Sequence, residues 1–237
     1  MVNVDTVYQR VLALANKEQR GYITPQEFNI HANQAQLDIF EQYFYDINQF
    51  GRLPGNNTEY SDMLNILEEK MSIFERIRPS INRNNSTGVY HIGTSITDLY
   101  RIGTVSYNGK ICEQITNKEL TLINSSPLLK PSAIRPVYVI YGHNEQLRAD
   151  VYPQSLLDSI SVNYIKKPEK VNWTYVVIGD KALYNATTDT MHFELHPSEE
   201  TDLVIKILQL AGITMKDEIL YQVTNAEDNK NIQQEKQ

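Results

Sequence analysis

The stretch Gly21-Tyr22-Ile23-Thr24-Pro25-Gln26-Glu27-Phe28 decides how the start of this chain folds. Thr24 can accept the hydrogen bond of an orphaned backbone N–H, Pro25 suits a first helical position, and Glu27 completes a Thr-x-x-Glu capping box. A helix therefore begins at Thr24. Beyond it, Phe28, Ala32, Ala35, Ile39, Phe40, Tyr43, Phe44, Ile47 and Phe50 recur at three- and four-residue steps along one broad, aromatic face. The same stretch has a calcium reading, because Gly21, Ile23, Glu27 and Phe28 match the second half of an EF-hand loop. Its ligand positions then fall on Asn16, Glu18 and Arg20, and an arginine in place of a carboxylate repels the ion. The turn reads as a capped junction between two helices.

Upstream, a first helix is expected with Asp5 as its cap and Val7, Val11, Leu14 and Ala15 along one side. Downstream, Gly51–Asn57 forms a loop. A third helix is predicted over Ser61–Arg78, with Met63, Ile66, Leu67, Met71, Phe74 and Ile77 inward and Pro79 as its stop.

The Ser/Asn-rich segment Ser80–Gly88 reads as a linker, after which the period turns from helical to alternating. Leu99–Tyr107 and Lys110–Ile115 flank Asn108-Gly109, a pair that favours positive φ at both central turn positions and so predicts a hairpin. Thr116-Asn117-Lys118-Glu119 is a second capping box and opens a short helix. Pro136–Tyr141, Gln146–Tyr152 and Ser159–Lys167 read as three strands of one small antiparallel sheet. Strand-like pieces recur at Tyr175–Ile178 and Met191–Leu195. Pro197 then opens a helix with Leu203, Val204, Ile207, Leu208 and Ala211 inward and Gly212 just past its end. A last helix from Lys216 carries Ile219, Leu220 and Val223, and the polar tail after Ala226 cannot pack alone.

The fold class expected is α+β. Residues 1–79 and 198–237 supply the helices of a bundle, and residues 80–197 form an inserted antiparallel β-rich region.

Composition narrows the function classes. No apolar run approaches the ~18 residues of a membrane span, and the N-terminus lacks the basic and apolar regions of a secretory signal. The single Cys112 excludes an internal disulfide and reads as a packed thiol in a hairpin. A net charge of −7 opposes general nucleic-acid binding, which rests on neutralising phosphates, yet suits a conduit that lets DNA pass without gripping it.

The five histidines, His31, His91, His143, His192 and His196, lie in no recognised catalytic motif. His192 and His196 share the i,i+4 spacing of helical zinc ligands, but Phe193-Glu194-Leu195 between them looks strand-like and Pro197 follows at once. A metal-dependent enzyme or small-molecule-binding protein using this pair is the alternative function. No phosphate-cradling glycine motif is present. Tyr164–Trp173, with Lys166 and Lys167, is the most basic stretch and holds the only tryptophan, Trp173. It reads as a strand and a Pro-containing turn with Trp173 over a core edge, or as a protruding partner contact.

Residues Val7–Phe50, centred on Ala15-Asn16-Lys17-Glu18-Gln19-Arg20-Gly21 and the stretch quoted first, resemble the opening of structural proteins of crAss-like and related Bacteroidetes tailed phages. Tyr164-Ile165-Lys166-Lys167-Pro168, His192-Phe193-Glu194-Leu195-His196-Pro197 and Leu210-Ala211-Gly212-Ile213 look like later landmarks of the same group. The resemblance implies a non-enzymatic virion protein, a head-to-tail connector or adaptor made in the bacterial host cytoplasm. It implies a ring of roughly twelve copies at the head–tail interface. The partners implied are the chain itself, the portal protein, the tail or further connector rings, and genomic DNA passing through the lumen without sequence-specific binding during ejection. No cofactor and no metal is implied. The expected partner contacts are Tyr43 and Phe44 on the aromatic helix face, Lys166, Lys167 and Trp173 in the basic segment, and Ile232, Gln233 and Gln234 in the polar tail.

Overall fold

The computed structural model describes residues 1–17, 23–50, 58–84, 88–143, 146–179 and 181–214. The fold is α+β, with N-terminal helices packed against a C-terminal helix and antiparallel sheets inserted between them in sequence. The chain divides into two compact units. Unit 1 joins Met1–Ile73 to the chain from Pro168 onward, and unit 2 is Phe74–Lys167.

Unit 1 begins with α1 (Val4–Lys17) and α2 (Pro25–Phe50), followed by α3 (Thr58–Ser72). Asn3, not Asp5, caps α1: its Oδ1 accepts from the backbone N–H of Asp5 at 2.8 Å and of Thr6 at 3.3 Å. Asp5 sits in the first turn, where a carboxylate favours the positive end of the helix dipole. Val4, Val7, Tyr8, Val11 and Ala15 form the buried stripe, while the expected Leu14 faces solvent. At α2 the capping box forms as expected. Glu27 N donates to Thr24 Oγ1 at 3.3 Å and Thr24 N to Glu27 Oε2 at 3.0 Å. Phe28, Ala32, Ala35, Ile39, Phe40 and Tyr43 are buried, and Phe44 and Ile47 are half-buried at the margin. Of the EF-hand match, Glu18, Arg20 and Gly21 lie outside the described residues.

The helix predicted to reach Arg78 stops at Ser72, and Glu75–Ile81 is a strand, β1. Leu67, Met71 and Phe74 are buried as read, but Ile66 and Ile77 are exposed, Ile77 at 69%. Backbone pairing decides this, because Glu75–Arg78 align antiparallel with Val162–Ile165 and gain sheet hydrogen bonds a helix would forgo. Pro79, read as the stop of a helix, and Ser80, read as the start of a linker, therefore both lie within a strand. A proline without an N–H is tolerated there because β1 is an edge strand.

Unit 2 continues through α4 (Ile92–Ser95), β2 (Leu99–Tyr107), β3 (Lys110–Ile111), β4 (Glu113–Gln114), α5 (Asn117–Ser125), β5 (Val137–His143), β6 (Gln146–Tyr152) and β7 (Ile160–Lys166). The β2–β3 turn has φ of 47° at Asn108 and 74° at Gly109, the positive pair expected of Asn-Gly. The three strands expected in one sheet separate. β4, β5 and β6 form a sheet in that order, with β4–β5 parallel and β5–β6 antiparallel, and β7 joins the all-antiparallel sheet β1-β7-β2-β3. Cys112 is where the chain changes sheets. Its N–H donates to Val105 O at 2.8 Å, and the next residue, Glu113, donates to Pro136 O at 3.2 Å. Its side chain is buried among Ile81, Tyr90, Val105, Tyr107, Tyr138, Ile160 and Val162, and desolvation pushes its thiol up to about 11. α5 carries the second capping box, formed in both directions.

Back in unit 1, β8 (Tyr175–Ile178) and β9 (Lys181–Tyr184) form a two-stranded hairpin, and a 3-10 turn at Pro197–Glu199 leads into α6 (Glu200–Thr214). Met191–Leu195 is extended, bridged through Met191 to Asn172 and through Phe193 to Val2. Leu203, Val204, Ile207, Leu208 and Ala211 are buried as read. Gly212, expected past the helix end, is buried inside it, so packing carries α6 through a residue of poor helix propensity. The predicted helix from Lys216 and the polar tail lie outside the described residues.

Candidate interaction surface

The most organised polar feature of unit 1 is a ladder of three carboxamides on α2. Asn29, Asn33 and Gln36 follow one another at helical steps of four and three, so they form a stripe beside the aromatic face. They grip an extended segment distant in sequence. Asn33 Nδ2 donates to Val171 O at 2.9 Å while Asn33 Oδ1 accepts from Val171 N at 2.8 Å. Asn29 does the same to Trp173, with Nδ2 to the carbonyl at 3.3 Å and Oδ1 from the N–H at 2.8 Å. Gln36 Nε2 donates to Glu169 O at 2.8 Å, and Gln36 Oε1 accepts from Glu194 N at 3.1 Å. The side-chain amides thus replace a neighbouring β-strand and satisfy backbone groups that burial would otherwise leave unpaired.

The ladder delivers Trp173 to the core, where it is 1% exposed. Its ring lies 4.2 Å from Tyr8, 5.6 Å from Tyr175 and 5.9 Å from Tyr184 between centroids. Its indole Nε1 donates to Asp5 Oδ1 at 3.0 Å. Tyr175 and Tyr184 stand opposite each other at the root of the hairpin, so one hairpin face is anchored on the indole. The other face is apolar. Val176, Leu183 and Ile178 share it, with Lys181 at the tip, and all three aliphatic side chains are exposed.

A second exposed apolar surface belongs to unit 2. Leu122 on α5, Leu129, Leu128 at 96% exposure and Ile134 at 80% lie on α5 and the loop that follows it. Ile111 is also exposed, and its neighbour Lys110 reaches the same loop, donating Nζ to Ala133 O at 3.2 Å.

The residues expected to make partner contacts fall in different places. Trp173 and Tyr43 are buried in unit 1, the Tyr43 ring having Lys70 Nζ 5.8 Å from its centroid. Phe44 is half-buried and packs edge-to-face on Phe40, with ring centroids 5.1 Å apart. Lys166 ends β7 as a buried residue, and Lys167 is exposed with its N–H donated to Asp98 O at 2.7 Å. Ile232, Gln233 and Gln234 lie outside the described residues. Among the described residues of this set, only Trp173 packs against the hairpin, as its anchor.

His192 and His196 do not share a helical face. They flank an extended segment whose ~3.3 Å rise per residue carries them apart. His192 Nδ1 accepts from Val4 N at 3.3 Å, and His196 caps the turn before α6 by accepting from Ser198 N at 3.3 Å. Among the described residues, no group of three or more His, Cys, Asp or Glu side chains could hold a metal ion. Burial pushes His31 below its ordinary value against the attraction of Glu27, and Glu27 is itself lowered by the hydrogen bonds of the Thr24 cap. Between α3 and the 3-10 turn before α6, Lys70 Nζ and Glu199 Oε1 pair at 2.6 Å with both side chains largely buried. Among the described residues, no helix is long and apolar enough to cross a membrane.

Sequence reasoning missed the ladder, although the spacing Asn29, Asn33, Gln36 was its visible signal. It missed β9, whose Lys181-Ala182-Leu183-Tyr184 is too short to show alternation. No model of a known protein family matches this chain, and neither does any curated protein.

Proposed function

We propose that this chain is a non-enzymatic virion structural protein, a ring-forming head-to-tail adaptor that docks on the phage portal and continues the DNA conduit toward the tail. The observation that carries this reading is the pair of exposed apolar surfaces, one on each unit, at the β8–β9 hairpin and around Leu128 and Ile134. Contiguous apolar surface on a protein marks a contact with another macromolecule. Two different surfaces on one chain suit a subunit that meets unlike neighbours in a ring. The resemblance of Val7–Phe50 and of the later landmarks to connector proteins of crAss-like phages supplies the assembly. The net charge of −7 suits a lumen that DNA crosses without being held.

Electron microscopy of the protein mixed with the portal ring of its own phage tests the reading. Rotational averaging is expected to reveal a ring stacked on the portal. A bare portal, together with absence of the protein from purified particles, overturns it.

A further inference from the structure

The two units carry opposite charge. Phe74–Lys167 holds eleven Lys and Arg against seven Asp and Glu, whereas the rest of the chain holds eleven against 22. Unit 2 therefore carries +4 and unit 1 carries −11, an asymmetry that the overall −7 conceals.

The exposed apolar surface of unit 2 lies among its cations. Between residues 110 and 136 stand Lys110, Lys118, Lys130 and Arg135, with Glu113 and Glu119 as the acids. Glu119 is turned back onto the Thr116 cap, and Glu113 is paired with Arg135 at 3.1 Å. Lys118 and Lys130 are exposed, and neither is in an ion pair among the described residues. Lys118 shares a face of α5 with the exposed Leu122, one turn on, and Lys130 directly follows Leu128 and Leu129. An apolar side chain beside each lysine suits a protein surface better than a phosphate backbone, which would use the cations alone.

Unit 1 has the same plan in the opposite sign. α2 and α3 together hold eight acidic residues and one Lys, and that Lys70 is neutralised by Glu199. On α2 the exposed Glu41 stands one turn before the exposed Tyr45, and on α3 the exposed Glu69 stands three residues after the exposed Ile66. Two unlike surfaces of opposite sign on one chain attract between copies and not like to like, which is the requirement of a head-to-tail contact.

We propose that the basic apolar surface around Lys118, Leu122, Leu128 and Lys130 of one copy of this chain docks on the exposed acidic residues of α2 and α3 in a second copy. The charges steer and orient the approach, and burial of the leucines against Tyr45 and Ile66 holds it. This deepens the adaptor reading and rests on it only for closure into a ring.

The test uses two full-length variants with distinguishable tags, Lys118→Glu/Lys130→Glu and Glu41→Lys/Glu69→Lys. Sedimentation velocity of the unmodified chain is expected to show self-association at about 0.1 M salt and its loss at about 1 M, where screening is nearly complete. Each variant alone carries one sign on both surfaces and is expected to stay monomeric. The two mixed are expected to regain association with the tags alternating, because every surface then meets its complement. All four side chains are exposed, so circular dichroism is expected to match the unmodified chain. The contact is overturned by an unmodified chain that stays monomeric, by variants that associate as well as it does, or by a mixture that stays monomeric while it associates. Duplex DNA bound by the unmodified chain and released by Lys118→Glu/Lys130→Glu also overturns it, by giving the basic surface to nucleic acid. Failure of the adaptor reading is distinguishable, since self-association with the portal left bare supports this contact and overturns only the ring on the portal.

Discussion

The indole Nε1 of Trp173 donates to Asp5 Oδ1 at 3.0 Å, joining the first turn of α1 to the segment before β8 across 168 positions of sequence. The contact fastens the hairpin root, because the same indole stacks on Tyr175 and Tyr184. Trp173→Phe keeps an aromatic ring and removes the donor, with an expected loss of about 1–3 kcal/mol. Trp173→Ala empties the site as well and is expected to cost about 3–5 kcal/mol. Urea denaturation of the two variants checks the order, and equal losses would show that the hydrogen bond to Asp5 dominates over the ring.

The amide ladder predicts a polar requirement on a helix face where an apolar residue would look acceptable. Asn33→Leu leaves both backbone groups of Val171 without their partners and is expected to destabilise by about 2–4 kcal/mol. Gln34→Ala, one position along and exposed, is expected to stay within about 0.5 kcal/mol. Thermal melts of both variants are the measurement, and a neutral Asn33→Leu would overturn the ladder's role.

Lys70 and Glu199 form an ion pair largely withdrawn from solvent, so removing one partner strands the other. Lys70→Met is expected to cost about 3 kcal/mol, and the double variant Lys70→Met/Glu199→Leu to recover most of it, because the buried charge is then gone. A double-mutant cycle in urea checks the recovery, which additive losses would contradict.

Acid stability has an identifiable contributor in unit 2. Asp158 accepts from Tyr107 Oη at 2.8 Å and from Asn108 Nδ2 at 3.0 Å, and these bonds hold its carboxyl below the usual range. A depressed folded value means the contribution is complete above the unfolded pKa of about 3.9 and is lost as pH falls through the folded value. Tyr107→Phe is expected to raise the Asp158 pKa toward its ordinary value and to flatten the loss of stability below about pH 4. Carboxyl chemical shifts followed through the titration check it.

Local chemistry explains which elements were legible in the sequence. Thr24 with Glu27, Thr116 with Glu119 and Asn108-Gly109 each act within four residues, and each formed as read. The α2 stripe was legible because a long period averages over single exceptions. At the first cap, Asn3 and Asp5 are both good capping residues, and the actual start of α1 at Val4 decides between them. The exposed Leu14 shows that periodicity alone does not set the width of a buried stripe.

The interaction surface was less legible than the fold. Trp173 stood out by composition, but its neighbours Tyr8, Tyr175, Tyr184 and Asp5 come from three separate parts of the chain. Ile77 and Ile178 are chemically alike in sequence to buried isoleucines such as Ile81 and Ile160, and only the packed structure separates them.

By itself the sequence determined the capped helices, the Asn-Gly hairpin and the α+β order of elements, because caps, turns and hydrophobic periods are free-energy differences between neighbouring residues. The tertiary structure alone decided that α3 yields to β1 at Glu75, that Cys112 carries the chain from one sheet to the other, and that Asn29, Asn33 and Gln36 take the place of a strand beside Glu169–Trp173. Each of these depends on hydrogen-bond partners distant along the chain, and a backbone group buried by packing takes whichever partner the fold brings to it.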